Sequence, residues 1–446
     1  MSDPTLTLFY EFARKRTLVA SIGPTLSISR TGNASRVNGA GFIEAVAANI
    51  ARFDFDPATR RSLGLLVEEE RRNIARQSGN LVSAPWTSIQ SPAIATNDAI
   101  SPRGILEATL LTDNNATNRE GVQQSISVPN TTDTHVTSVF VRKTAGGASP
   151  TFGLEMVYAD GVGTTPVQIR LNTDTGVTNG VGDGGVQDFG DWWRLWGLST
   201  NNFSGNRTLL VKVLPALAAH GSFVDVMSTT GSAHVWGFQS EVGSTPTSYI
   251  ETFGAVVIRN GDNITSTDMS WLNTQEGTLF TETIVPKIPE SGTGTPFIIA
   301  LDNGGSSSRI LHTYDREPGI LRTFLFVNAT NLNDVGIALA EGDNLLMVSS
   351  WNNATATFTV ISNGRPELTN TSRSTPQGLT TLRIGISDTN VGQHNGHMRS
   401  LRYYNVNKPT QFRSDLGNGL ISENNDLTFT RNLARPLERP LVNTMR

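Results

Sequence analysis

The sequence predicts an all-β protein: two tandem antiparallel β-sandwiches, preceded by an N-terminal arm and followed by a C-terminal tail. Three observations carry this. The chain has 42 glycines among 446 residues, and only 17% of it is charged, below the usual quarter. Short runs that alternate apolar and polar residues recur along its length, the period-two pattern of strands. Polar turns rich in Gly, Asn, Ser and Thr separate them, and long apolar stripes of helical spacing are absent. At roughly 150 residues per domain, the length accommodates about three domains.

The bulk numbers exclude several classes. The formal net charge is −4, so nothing in the overall electrostatics draws the chain to nucleic acid or anionic lipid. With 0 cysteines, disulfides and thiolate metal sites are ruled out. A cysteine-free chain suits synthesis in a reducing cytosol. No stretch of about 20 apolar residues suggests a membrane span. Arg14, Lys15 and Arg16 follow the first apolar run instead of preceding it, which is not the order of a signal peptide.

Residues 1–85 read as the arm. Leu6, Leu8 and Tyr10 alternate with Thr7 and Phe9, and short strands flank the Asn38-Gly39 turn. A further strand, a turn at Asp56-Pro57 and the run 63–67 follow. Glu68, Glu69 and Glu70 against Arg71 and Arg72 suggest one helical turn with surface ion pairs. Apolar residues are too few for an independent core, so the segment must pack on the next domain or on a neighbouring subunit.

Residues 86–265 alternate throughout. In 134–142, Val136, Ser138, Phe140 and Arg142 share one face, and His135, Thr137, Val139 and Val141 the other. Runs at 152–158, 167–171, 192–198, 208–214 and 234–240 continue the style. About eight short strands of this kind predict a jelly-roll sandwich. Residues 266–412 repeat it, with strand candidates at 277–284, 297–302, 321–328, 344–351, 355–361, 382–387 and 398–405. The tail, 413–446, ends in a segment with Pro436 and Pro440, which forbid a helix or a central strand there.

The stretch that organises the chain is 232–265. It starts as a strand, breaks at Gly243, Ser244 and Pro246, and continues through Tyr249 and Ile250 to a dense turn at Asn260-Gly261-Asp262-Asn263. It reads as the last strand of one sandwich and the tether to the next.

Two segments resemble a recurrent pattern in structural proteins of tailed phages and prophages. The first is ARFDFDPATRRSLGLLVEEERRNI, through Arg52, Phe53, Asp54, Asp56, Pro57, Gly64, Leu65, Leu66, Glu68, Glu69, Arg72 and Asn73. The second is VWGFQSEVGSTPTSYIETFGAVVIRNGDNI, through Trp236, Gly237, Gln239, Glu241, Gly243, Pro246, Thr247, Ser248, Tyr249, Ile250, Arg259, Asp262, Asn263 and Ile264. Ala51, Phe238 and Glu251 depart from it. Further on, GTLFTE at 277–282, ISNGR at 361–365 and HMRSLRYYN at 397–405 resemble strands and a hairpin of concanavalin-A-like or laminin-G-like sandwiches. The resemblance implies a concanavalin-A-like second sandwich and a carbohydrate-binding-like first one. It also implies a virion structural component, often of tail-fibre type, with no particular receptor and no catalytic residues.

Candidate chemistry is sparse. Asp191-Trp192-Trp193-Arg194-Leu195-Trp196 is the most aromatic run. On a strand Trp192, Arg194 and Trp196 face one way: exposed, they would stack on sugar rings; buried, they are core braced by a cation–π contact. Asp302 and Asn303, with Asp315 and Glu317 nearby, offer oxygen ligands of the kind that hold Ca²⁺ on a rim loop; the alternative is a flexible turn. His394 and His397 offer two imidazoles without a third ligand, or simply a turn. The paired carboxylates of a glycosidase, a nucleophile elbow and a zinc-protease motif do not appear.

The expectation is a non-enzymatic bacteriophage virion protein, a tail-fibre or head-fibre component, made in the host bacterial cytoplasm and localised to the virion. It would have no obligatory cofactor and would neither bind nucleic acid nor insert into membranes. Its partners would be other virion proteins, further copies of itself in a homo-oligomer (a trimer on fibre precedent) and host surface polysaccharide. The arm would attach or interlock subunits through Arg52, Phe53, Asp54, Asp56, Glu68, Glu69 and Arg72. The alternatives are a capsid decoration or adaptor protein without ligand, and a polysaccharide depolymerase.

Overall fold

The computed structural model describes residues 3–144, 151–217, 229–284, 296–305, 308–317, 320–327, 330–337, 342–371, 375–386 and 393–421. Strands hold 51% of the chain and helices 3%, so the all-β expectation holds. All strand pairs in the described residues are antiparallel.

The first sandwich packs two six-stranded sheets. One runs Gly184–Phe189, Trp192–Thr200, Thr134–Arg142, Gly231–Val242, Leu106–Asp113 and Ala93–Ile100 in spatial order. The other runs Thr178–Val181, Val167–Asn172, Thr151–Ala159, Thr208–Leu217, Gly121–Ser127 and Thr87–Ile89. Their facing sides bury Val139, Val141, Phe152, Leu154, Leu195, Val211 and Phe238 in one core. The first sheet is also covered on its outer side. There Phe140, Trp192, Trp236 and Tyr249 pack with Val37 and Ile43 of the hairpin formed by Ala34–Val37 and Ile43–Val46. This double burial explains why 134–142 carries bulky residues on both faces.

Gly237 makes that arrangement work. Between the pairs Ser138–Gln239 and Phe140–Trp236, the single residue Val139 faces two, Gly237 and Phe238, a one-residue bulge. Gly237 sits there at φ 62, with the Phe140 ring 2.7 Å from where a Cβ would be. The bulge sends Phe238 into the inter-sheet core and Trp236 into the outer cluster.

The second sandwich packs an eight-stranded sheet against a seven-stranded one. The segment expected to be an arm is part of it. Leu6–Tyr10 and Ser62–Val67 both pair with Gly396–Tyr404, Arg52–Phe55 pairs with Ser62–Val67, and Ser27–Ser29 pairs with Asn263–Ser266. Leu8, Tyr10, Phe12, Phe53, Leu65 and Val67 share one core with Ile299, Trp351, Leu382 and Tyr403. The apolar residues of the N-terminal segment, too few for a core of its own, complete a distant one. Gly64 permits the closest approach: it lies at φ 108, and a Cβ there would come within 2.2 Å of the Met398 carbonyl.

Three local expectations change. Residues 68–70 form no helical turn; they link Ser62–Val67 to Arg71–Asn73, which pairs with Val257–Arg259. A helix, Thr410–Gly417, crosses the expected boundary at 412 and seats Leu416 on the outer side of the eight-stranded sheet. Two strands of the second sandwich, Arg309–Glu317 and Thr330–Ile337, had no separate signal in the sequence. Residues 422–446, most of the expected tail, lie outside the described residues.

Candidate functional sites

The segments 51–74 and 235–264 meet at the joint between the sandwiches. Arg52 is fully buried, and its Nη1 donates to Glu68 Oε2 at 2.6 Å, to Ser248 Oγ at 2.8 Å and to the Ser35 carbonyl at 3.1 Å. Its Nη2 pairs with Asp262. The other oxygen of Asp262 accepts from Arg30 at 2.7 Å. Ser248 closes the ring through its backbone N and hydroxyl, both donated to Glu68. Arg259 stands 3.5 Å from Glu68, and its guanidinium makes no hydrogen bond within the described residues. Burial alone would raise the Glu68 carboxyl; the Arg259 and Arg52 guanidiniums and the Ser248 hydrogen bonds outweigh it and hold it well below the usual carboxylate range.

The tether is fixed by the same residues. Glu241 accepts from the Thr247 backbone N and hydroxyl, and Gln239 Oε1 accepts from Ile250 N at 2.7 Å. Asn73 Nδ2 donates to the Ile250 carbonyl at 2.8 Å, while its Oδ1 accepts from Ser240 N at 3.0 Å. The resemblance is therefore spent on an internal joint. Arg52, Phe53, Asp54 and Glu68 are buried, and they cannot face a neighbouring subunit. Asp54 accepts from Val37 N and contacts His397, and Glu69 pairs with Arg71 and with Asn395. Asp56 accepts from the backbone of Ala58 and Thr59 in a tight turn. Of these seven residues, only Arg72 has an exposed side chain without a partner among the described residues.

The aromatic platform does not form. Trp192, Arg194 and Trp196 do share a face, but they are 3%, 5% and 5% exposed. The tether lies across that face: Arg194 donates to the Thr247 carbonyl at 2.8 Å, with its guanidinium 5.3 Å from the Phe140 ring centre. The run is core with a cation–π brace. Trp192 borders a cleft of ≈ 400 Å³ whose rim carries Phe42, Arg60, Arg142, Lys143, Asp188 and Asp191. Trp193 reaches the surface instead, with Lys143 Nζ 4.0 Å from its ring centre.

The metal candidates are otherwise engaged. Asp302 is buried and accepts from Arg383 Nε and from Gly304 N, both at 2.8 Å, and Asn303 accepts from Gly305 N. For Asp315 and Glu317 only the strand Arg309–Glu317 is described. His394 is buried against Thr283 and Tyr314, and burial pushes it down to about 3, whereas His397 turns to Asp54. No group of three or more His, Asp or Glu gathers as a metal site among the described residues.

Two further concavities escaped the sequence reading. A recess of ≈ 280 Å³ holds Glu107 and Glu251 with Asn80, Asn97 and Phe253; Ser101 donates to Glu107, and Arg103 pairs with Glu251. A larger groove of ≈ 640 Å³ runs between the Arg71–Asn73 ribbon and the strand Gly121–Ser127, with Glu70, Arg71, Arg72 and Arg76 along it. Its walls come from distant segments, so no local motif announced it.

No family model and no curated protein matches the chain. Solved structures similar to parts of it are small in extent. A SAP-like pentraxin of Limulus polyphemus aligns at 15% identity and TM-score 0.26, covering 32% of this chain and 70% of that one. The CBM40 domain of the Ruminococcus gnavus IT-sialidase, bound to α2,3-sialyllactose, aligns at 11% and 0.27, covering 32% and 83%. The receptor-binding domain of botulinum neurotoxin mosaic serotype C/D aligns at 12% and 0.26, covering 36% and 39%.

Proposed function

We propose that this chain is a non-enzymatic structural protein of a bacteriophage virion, a tail-fibre or head-fibre component. It assembles with further copies of itself, a trimer on fibre precedent, and its sandwiches contact host surface glycans. One observation carries the reading. The two segments that resemble phage structural proteins, although about 200 residues apart, converge on a single buried joint, with Arg52 reaching Ser248 and Asp262. The resemblance thus follows an architecture and not a scatter of matching residues. The cleft at Trp192, rimmed by charged side chains with Phe42 exposed at one edge, has the polar-and-aromatic character that sugars require. Repetition in an oligomer would raise a weak contact to useful avidity.

Antibody labelling of intact particles by electron microscopy tests the virion assignment, and unlabelled particles would refute it. A glycan array probed with the assembled protein tests the contact. Binding to no host polysaccharide would leave a decoration or adaptor role. Release of reducing ends from capsule would make the protein a depolymerase.

A further inference from the structure

The groove of ≈ 640 Å³ is of the size that small-ligand sites occupy, roughly 300–1,000 Å³. Its charge runs against the rest of the molecule. The chain carries −4 overall, yet the groove is lined by three arginines, Arg71, Arg72 and Arg76, and one acid, Glu70. Arg71 is already engaged with Glu69 and the Val242 carbonyl, and Glu70 accepts from Asn260. Arg72 and Arg76 are exposed and have no ion-pair partner among the described residues. The walls between them are apolar at Ile74, Val242 and Val256, with the exposed Ser125 and Ser127 at the side.

We propose that this groove binds an acidic saccharide, a sugar unit bearing a carboxylate. Arg72 and Arg76 present planar forks of donors that match a carboxylate. The apolar walls take the C–H face of a pyranose ring, and the serine hydroxyls meet its hydroxyl groups. A bare phosphate would use the arginines and leave the apolar walls uncovered; a neutral sugar would leave both arginines without a counter-charge. The proposal rests on the glycan-contact reading above and names its ligand class.

The test is calorimetric titration of the full chain with oligosaccharides of galacturonic, glucuronic and sialic acid. Controls are the methyl ester of the galacturonic acid trisaccharide, a neutral galactose trisaccharide and inorganic phosphate. At least one acid should bind, and loss of the carboxylate charge should weaken it about tenfold or more. The double variant Arg72→Gln/Arg76→Gln should lose a similar factor and flatten the salt dependence, with an unchanged melting temperature. Equal binding of acid and ester, an unaffected double variant, or full competition by phosphate would overturn the proposal. Binding of neutral sugar alone would overturn it and leave the broader glycan reading standing. Binding of no saccharide at all would overturn both.

Discussion

Arg259 and Arg72 belong to the same two-stranded ribbon, on adjacent rungs, and their environments are opposite. Arg259 faces inward at 1% exposure towards Glu68, in a joint that also buries Arg30, Arg52 and Asp262. Arg72, cross-strand from Ile258, faces out beside a groove with no carboxylate committed to it. A ribbon alternates its side chains every residue, so one short segment supplies both the joint and the groove. Charge that is buried with partners holds the sandwiches together. Charge left exposed is available to a ligand. A buried ion pair is fragile when half is removed, because the remaining charge is stranded away from water, whereas an exposed charge costs almost nothing to delete.

The largest expected effect follows from the N-terminal strands. Deleting residues 1–67 removes Leu8, Tyr10, Phe12, Phe53, Leu65 and Val67 from the second core. Near-ultraviolet circular dichroism should show loss of its aromatic packing; a truncated chain that kept a native spectrum would restore the idea of a detachable arm. Next, Glu68→Gln should cost about 3–5 kcal/mol in chemical denaturation, since it leaves Arg52 and Arg259 facing a neutral group in a dry site. The pH dependence should be smaller but distinct. Burial pushes His135 down to about 4 and His312 and His394 to about 3. The unfolded chain binds these protons near pH 6.5, so stability is full above that value and declines as the pH falls towards 4. Glu68 adds a further loss below about pH 4.3, where its unfolded form protonates first. Denaturation midpoints between pH 7 and 4 check the sign, and His312→Gln should flatten the slope. Smallest of all, Arg72→Gln should change stability by no more than about 0.5 kcal/mol.

Much of the fold was legible because alternation and turns are local signals. The strand Thr134–Arg142 and the strand Phe297–Asp302 stand where their periodicity places them. The tether was legible too, from the break at Gly243 and the dense turn at 260–263. What escaped was long-range. Nothing within residues 1–67 says that its strands pair with Gly396–Tyr404, because pairing is decided by a partner hundreds of residues away. The run at Trp192 misled for the same reason: the face was correctly read, but its cover, Thr247 with the tether, is remote in sequence. Glu68 looked like a surface acid among neighbouring arginines, yet its partners are Arg52, Ser248 and Arg259. The groove at Arg72 and Arg76 has walls from five separated stretches, and no window of sequence contains it.

A double-mutant cycle on Arg52→Met and Glu68→Gln, read by chemical denaturation, bears most directly on the joint. If the two residues form one buried unit, each single change is severely destabilising and the pair is far less than additive, with a coupling of about 2 kcal/mol or more. Coupling below about 0.5 kcal/mol, the additive behaviour of independent sites, would mean that segments 51–74 and 235–264 do not meet as described.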